Sequence, residues 1–224
     1  MAFICVAIDG PSGSGKSTAA RRAANRLGFA YVDTGAMYRA IAFYALNRGI
    51  DFYDRESVVS ILSEIKIEFA TSDGSQRLFL NGEDVSGSLR TQEIAAGSSI
   101  VAEYPEVRRK LTALQREIAS KGDSVLDGRD IGSVVLPDAA LKIYMDASVE
   151  TRTKRRVGEL KTKGLPCEYE TVRREIRERD LRDAARSEAP LIRVSDAVYL
   201  STDGLDEIQA AEAVIDLIKT RCGR

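Results

Sequence analysis

Near its start the chain carries a glycine-rich stretch, GPSGSGKST, directly after the apolar run FICVAID. The spacing fits G-x-x-x-x-G-K-[ST] at Gly10, Gly15, Lys16 and Ser17, the layout that phosphate binding demands. Glycines at Gly10, Gly13 and Gly15 let the backbone curl until its N–H groups face phosphate oxygens. Lys16 then reaches the β- and γ-phosphates, and the Ser17 hydroxyl can ligate Mg²⁺. Pro11, Ser12, Ser14 and Thr18 complete the predicted loop, and the helix that follows turns its positive end to the same anion. A turn matching by chance would lack the strand before and the helix after, and both patterns are present. The loop reads as a nucleoside-triphosphate site.

Other segments offer charges for a second ligand. In DTGAMYR (33–39), Asp33 and Thr34 are cap candidates, and Tyr38 and Arg39 fall in the first helical turns. An arginine there opposes the helix dipole, so Arg39 is either a solvated side chain or a phosphate ligand. In VLDGRDIGS (125–133), Asp127 closes an apolar run, as a carboxylate near Mg²⁺ does. Gly128 and Gly132 flank Arg129 and Asp130, a turn that either pairs its own charges or presents them to a ligand. RTKRRVGELKTKG (152–164) holds six basic residues against Glu159 alone, which suits a lid that closes arginines over a transferring phosphate. RNA binding is the competing reading, against which stand the near-neutral total charge and the lack of interleaved aromatics. In RREIRERDLRDAAR (173–186), Arg179, Asp183 and Arg186 share a helix face. The apolar face is thin, mainly Val172, Ile176 and Leu181, as befits a moving element or a helix of surface ion pairs.

The elements that position these residues are legible as pattern. Non-alternating apolar runs at 3–9, 31–33, 124–127, 141–146 and 197–201 predict buried strands of a parallel sheet. Helices are predicted over 16–27, 36–48 and 205–219, the last with Leu205, Ile208, Ile215 and Ile218 on one face. Alternation of the two implies a doubly wound α/β core of the P-loop type. Residues 66–85 break the pattern. KIEFA, Asp73-Gly74, QRLFL, Asn81-Gly82 and EDV predict a small antiparallel meander inserted between parallel units. The expected division is one domain: a core of 1–60, 99–150 and 187–224, an inserted lobe of about 61–98, and a lid with its charged helix over about 151–186.

Composition narrows the chemistry. The chain has 224 residues, a net charge of −1, three widely spaced cysteines and no histidine. Neither a disulfide framework nor a zinc site is indicated, no global field draws the chain to nucleic acid, and no segment reads as a membrane span. A cytoplasmic monomer, with neither nucleic acid nor membrane as partner, is expected. Without histidine the usual general base is missing, which favours chemistry by positioning and charge neutralisation. No N-K-x-D guanine signature occurs, and the one D-x-x-G, DVSG (84–87), falls in the meander. A kinase acting on a second small anion fits better than a switch GTPase or a motor.

Taken together, IDGPSGSGKST, DTGAMYR, GEDVSGSLRTQE, LDGRDIGS and RERDLRDAARSEAPL resemble the bacterial cytidylate kinases, in order from residue 8 to 191. The resemblance implies a five-stranded parallel sheet with a lid and an enlarged monophosphate-binding insert, and transfer from ATP to CMP or dCMP with Mg²⁺. By position, Thr34, Ser99, Arg108, Arg129, Asp130, Arg179, Asp183 and Arg186 match the nucleotide-holding residues. Arg39, Arg129 and Arg186 are then expected on the CMP phosphate, Arg179 and Asp183 at the sugar, and Lys16 with Arg152, Arg155 and Arg156 at the ATP phosphates. Thr34 stands where the family often has serine, which keeps the hydroxyl. Cytosine shows an amino donor beside two acceptors, so Ser99 and Asp130 can accept and Arg108 can donate. Uracil would set a carbonyl against Asp130. A kinase accepting UMP and CMP alike and a non-catalytic nucleotide-binding regulator are the alternatives.

Overall fold

Residues 3–72 and 75–223 are described by a computed structural model. Five strands form one sheet in the order β2-β6-β1-β7-β8: β1 (Cys5–Asp9), β2 (Ala30–Asp33), β6 (Ser124–Gly128), β7 (Leu141–Asp146) and β8 (Val198–Ser201). β1 runs parallel to β6, with Asp9 beside Gly128, and parallel to β7. β8 runs parallel to β7. A second sheet has three antiparallel strands, β3 (Ile67–Ser72), β4 (Ser75–Leu80) and β5 (Glu83–Asp84). The doubly wound sheet and the meander are thus both present.

The chain divides into two compact units, Met1–Tyr31 with Gly122–Arg224, and Val32–Lys121. In the first, α1 (Lys16–Leu27) buries Ala19, Ala20, Ala23 and Ala24 against Val6, Ile8, Val125, Ile143 and Met145. Alanines let the helix backbone lie close to the strands, and Gly28 ends it in the left-handed conformation (φ 71°) that glycine adopts without penalty. α8 (Glu207–Cys222) adds Val214, Ile215 and Ile218 to the same core. Its capping box, Asp206 with Gln209, sets the start two residues later than the pattern predicted. Leu205 therefore lies outside the helix, and Ile208 is 61% exposed rather than on the core face.

α6 (Val149–Thr162) and α7 (Tyr169–Ala185) share a small cluster of Leu160, Val172 and Ile176. Leu181, expected on that face, is 69% exposed. Five residues beyond Ile176 it has turned about 140° away, since each helical residue advances about 100°. The inner face continues instead as charge, through to Asp183, which is 1% exposed.

The second unit holds α2 (Thr34–Asn47), α3 (Arg55–Ser60), the three-stranded sheet, α4 (Gln92–Val101) and α5 (Pro105–Ala119). The side chain of Asp33 caps α2 by accepting from the Ala36 N–H. Thr34, also a cap candidate, is instead the first helical residue. Asn81 (φ 51°) and Gly82 (φ 88°) form the two-residue turn between β4 and β5, as Asn-Gly predicts. The other predicted turn, at Asp73-Gly74, lies outside the described residues. α3, α4 and α5 were not predicted as elements, although Pro105 at the first position of α5 is a start signal. Among the described residues, no disulfide joins Cys5, Cys167 and Cys222, and no helix is long and apolar enough to cross a membrane.

Candidate functional site

The phosphate loop joins β1 to α1, with Gly13 (φ 79°) and Gly15 (φ 86°) in conformations that favour glycine. At Gly10 (φ 153°) a Cβ would lie 1.9 Å from the Met145 carbonyl oxygen, so the loop can leave the sheet there only through glycine. No acidic residue occupies the first turn of α1, leaving its positive end to an outside anion. Lys16 is 6% exposed, and its Nζ donates to the Pro11 carbonyl at 3.0 Å. Burial, and then the Arg129 guanidinium, push the Lys16 pKa down to about 7, with Asp127 opposing. A bound polyphosphate would supply the negative charge that this lysine needs. Ser14 is fully buried and its Oγ makes no hydrogen bond, which suits a loop shaped around phosphate oxygens.

Ser17 Oγ donates to Asp127 Oδ2 at 2.6 Å, and the Tyr31 hydroxyl donates to Asp127 Oδ1 at 2.8 Å. A hydroxyl and a buried carboxylate side by side are hard oxygen donors of the kind Mg²⁺ takes. Among the described residues no group of three or more His, Cys, Asp or Glu could hold a metal. The pair fits an ion that completes its shell with phosphate and water, as Mg²⁺ does.

The three arginines of α6 behave differently from one another. Arg152 is 4% exposed. It donates to the Ala147 carbonyl at 2.9 Å and the Ser12 carbonyl at 3.3 Å, and grips Asp180 through both Nη atoms at 2.9 and 2.7 Å. Arg155 donates to Gly13 O (3.3 Å), Thr202 Oγ1 (3.0 Å), Thr202 O (2.8 Å) and Leu205 O (3.2 Å). Arg156 instead makes an exposed pair with Glu159 at 3.0 Å, one turn along its own helix.

A second cluster gathers at the end of β6. Arg129 Nε donates to Asp183 Oδ2 at 2.7 Å, and Arg186 pairs with the other oxygen of the same carboxylate. Burial alone would raise the Asp183 pKa, but Arg129, Arg186 and Arg179 together hold it below the usual carboxylate range. Arg129 is opposed by burial in the same way and held charged by Asp183. The structure therefore brings Arg129, Arg179, Asp183 and Arg186 together. Asp130, 5% exposed, precedes a π-helical turn, Ile131–Val135. That turn is fastened by Asp9, whose two carboxylate oxygens accept from the Ile131 and Gly132 N–H groups, each at 2.8 Å. Burial, and then Asp130, raise the Asp9 pKa to about 6, against those two bonds and Lys16.

In the second unit, Asp33 Oδ2 accepts from Arg39 at 2.9 Å while its other oxygen caps α2. Arg39 is thus neither fully solvated nor fully committed: its Nε is buried without a hydrogen bond. Arg108, on α5, is 5% exposed, donates to the Ala102 carbonyl at 3.3 Å and lies 5.9 Å over the ring of Tyr38. Thr34 and Ser99 are buried at 3% and 8% exposure.

Asp9, Asp180 and Thr202 went unread in the sequence. Asp9 stands immediately before the motif as the end of an apolar strand. Asp180 and Thr202 act through partners 28 and 47 or more residues away, which no local spacing reveals.

Comparison with known proteins adds the following. A family model described as Cytidylate kinase matches residues 6–220. The chain is 44% identical over 214 residues to a cytidylate kinase of Shouchella clausii, covering 96% of this chain and 95% of that one. It is 43% identical over 220 residues to a cytidylate kinase of Geobacillus thermodenitrificans, covering 98% of each. Among solved structures, an uncharacterized protein from Eubacterium ventriosum aligns over 97% of this chain and 99% of its own with a TM-score of 0.52. At 13% identity that likeness is one of fold.

Proposed function

The chain belongs to the cytidylate kinase family, and we propose that it moves the γ-phosphoryl group of ATP in line to the phosphate of CMP, giving ADP and CDP. The observation that carries the donor half is the buried Lys16 at the mouth of a glycine-curled loop, beside the Ser17–Asp127 pair. The loop amides, the α1 N-terminus and Lys16 hold the ATP phosphates and neutralise charge as it shifts. Mg²⁺, held through Ser17 and Asp127, would supply further neutralisation on the phosphate oxygens. Among the α6 arginines, Arg156 is the one whose guanidinium is engaged only by an exposed carboxylate, and it is the candidate to reach the moving phosphoryl group.

On the acceptor side, Arg39, Arg129 and Arg186 bind the CMP phosphate, and Arg179 with Asp183 meets the sugar hydroxyls. Ser99, Arg108 and Asp130 read the base, with Thr34 and Tyr38 beside them. The accepting group is already an anion, so the reaction needs no strong base, in keeping with a chain that has no histidine. Deoxycytidylate shares the base and the phosphate and is accepted too. Placing uracil against Asp130 leaves a buried carboxylate facing a carbonyl, which costs about 1–3 kcal/mol and lowers UMP turnover about tenfold or more.

The test is ADP formation with ATP and Mg²⁺ in the presence of CMP, dCMP, UMP, AMP or GMP. Turnover with CMP and dCMP well above the rest is expected. No turnover with any of the five refutes the kinase reading, and equal rates for CMP and UMP refute the base assignment.

A further inference from the structure

Four successive carbonyls of the phosphate loop are each held by a side chain. Pro11 O accepts from Lys16 Nζ (3.0 Å), Ser12 O from Arg152 (3.3 Å), Gly13 O from Arg155 (3.3 Å) and Ser14 O from Thr202 Oγ1 (2.8 Å). A planar trans peptide sets each carbonyl opposite the N–H that follows it. Pinning these carbonyls outward therefore turns amides such as those of Gly13 and Gly15 inward, toward the anion.

The two outer holders form a relay. Thr202 is fully buried in the turn after β8. A threonine hydroxyl has one proton to give and lone pairs to receive; here the proton faces Ser14 O at 2.8 Å, with Asp146 O farther off at 3.2 Å, and the oxygen accepts from Arg155 at 3.0 Å. The two Nη groups of Arg155 carry four N–H bonds, and four protein oxygens already take them: Gly13 O, Thr202 Oγ1, Thr202 O and Leu205 O. Meeting a phosphate through those groups would break at least one of these bonds. Arg152 is committed in the same way, between Ala147 O, Ser12 O and Asp180.

We propose that Arg155 and Thr202, seconded by Arg152 on its Asp180 anchor, are positioning residues that hold the phosphate loop in its anion-binding shape from behind, rather than ligands of the γ-phosphoryl group. This rests on reading the loop as the triphosphate site. Two classes of role separate cleanly with ADP, which lacks the γ-phosphate. A ligand of the γ-phosphoryl group does not affect ADP affinity; a residue that shapes the loop does.

The experiment is calorimetric titration of the purified protein with Mg·ADP, alongside steady-state kinetics. Thr202→Val and Arg155→Ala are each expected to weaken Mg·ADP binding about tenfold, the scale of one lost buried hydrogen bond, and to raise KM for ATP by a similar factor with KM for CMP unchanged. Thr202→Ser, which keeps the hydroxyl, stays within about twofold of the parent protein. The double variant is weaker than either single one, because Arg155 also holds Gly13 O directly, but by less than the product of the two effects, because the two residues share a hydrogen bond. An Arg155→Ala protein with lower kcat but unchanged ADP affinity overturns the proposal, as does a Thr202→Val protein whose only change is a lower Tm. If Thr202→Val does not fold, Arg155→Ala and Arg155→Gln decide the matter on the same readout. ADP binding needs no acceptor, so a parent protein that binds Mg·ADP but fails to phosphorylate CMP contradicts the proposed function and leaves this test standing.

Discussion

The phosphate loop and the cluster around Asp183, the two places proposed to meet phosphate, carry charge in opposite ways. In the loop, among the described residues, no side-chain anion pairs with Lys16: its Nζ donates to a carbonyl, and its pKa is pushed down to about 7. In the cluster, Asp183 already lies between Arg129 and Arg186, and its pKa is held low. The loop is electrostatically incomplete until a polyphosphate arrives. The cluster already holds one carboxylate among three arginines, so its charge is partly met, and a monophosphate bound there would share those arginines with Asp183. On the proposed reading, the donor meets a cation with no carboxylate paired to it, and the acceptor meets arginines that a carboxylate already orders.

That contrast can be broken most forcefully at Lys16. Lys16→Met is expected to lower kcat about 10³-fold, near 4 kcal/mol of transition-state stabilisation, while stability in urea is unchanged or higher because a penalised buried charge is gone. A kcat within tenfold of the parent would remove Lys16 from the chemistry. The opposite sign is expected in the cluster. Asp183→Asn strands Arg129 and Arg186 beside a neutral side chain and costs about 3 kcal/mol of stability, read as a shifted urea midpoint with an unchanged m-value. No shift would mean that the three charges are solvated rather than coupled.

Two smaller effects sharpen the comparison at Asp9 and Asp130. The Asp9 pKa is raised from 3.8 to about 6 in the fold, so the native state holds its proton more tightly than the unfolded chain. That stabilisation is present at low pH and is lost as pH rises through about 6. Between pH 4.5 and 6 the loss is about 1.5 kcal/mol, and the Asp9→Asn protein should lack this slope when the two are compared at each pH. Parallel pH profiles would place the Asp9 proton elsewhere. Asp130→Asn is expected to narrow the CMP/UMP ratio of kcat/KM about tenfold, and an unchanged ratio would move base selection to another residue.

What was legible in the sequence follows from how local each signal is. The loop, α1 and its glycine stop could be read because a phosphate nest and a helix start are built from consecutive residues. Arg179 and Asp183 lie on one face of α7 as helical spacing predicts, whereas Arg186, expected on the same face, follows the end of the helix at Ala185 and reaches Asp183 from extended backbone. Leu181 was misplaced by residue type, not by spacing: helical periodicity itself turns it about 140° from Ile176, and it is exposed. Ile208 shares the angular face of the buried Ile215, seven residues on, but it stands in the first turn of α8, directly after the Asp206 cap, and stays exposed. Asp180 and Thr202 were illegible because their roles exist only as contacts with Arg152, Arg155 and the loop. Arg155 shows the limit most sharply: its residue type suits a phosphate ligand, whereas its bonds go to protein carbonyls and a hydroxyl.

In the proposed reaction one chain passes a phosphoryl group directly from ATP to CMP. It is tested by incubating the protein with Mg²⁺, CMP and ATP labelled in the γ-phosphate, and separating the products. The label is expected in the β-phosphate of CDP, in step with ADP formation, with little in inorganic phosphate. Label released mainly as inorganic phosphate, whether or not CMP is present, would contradict it.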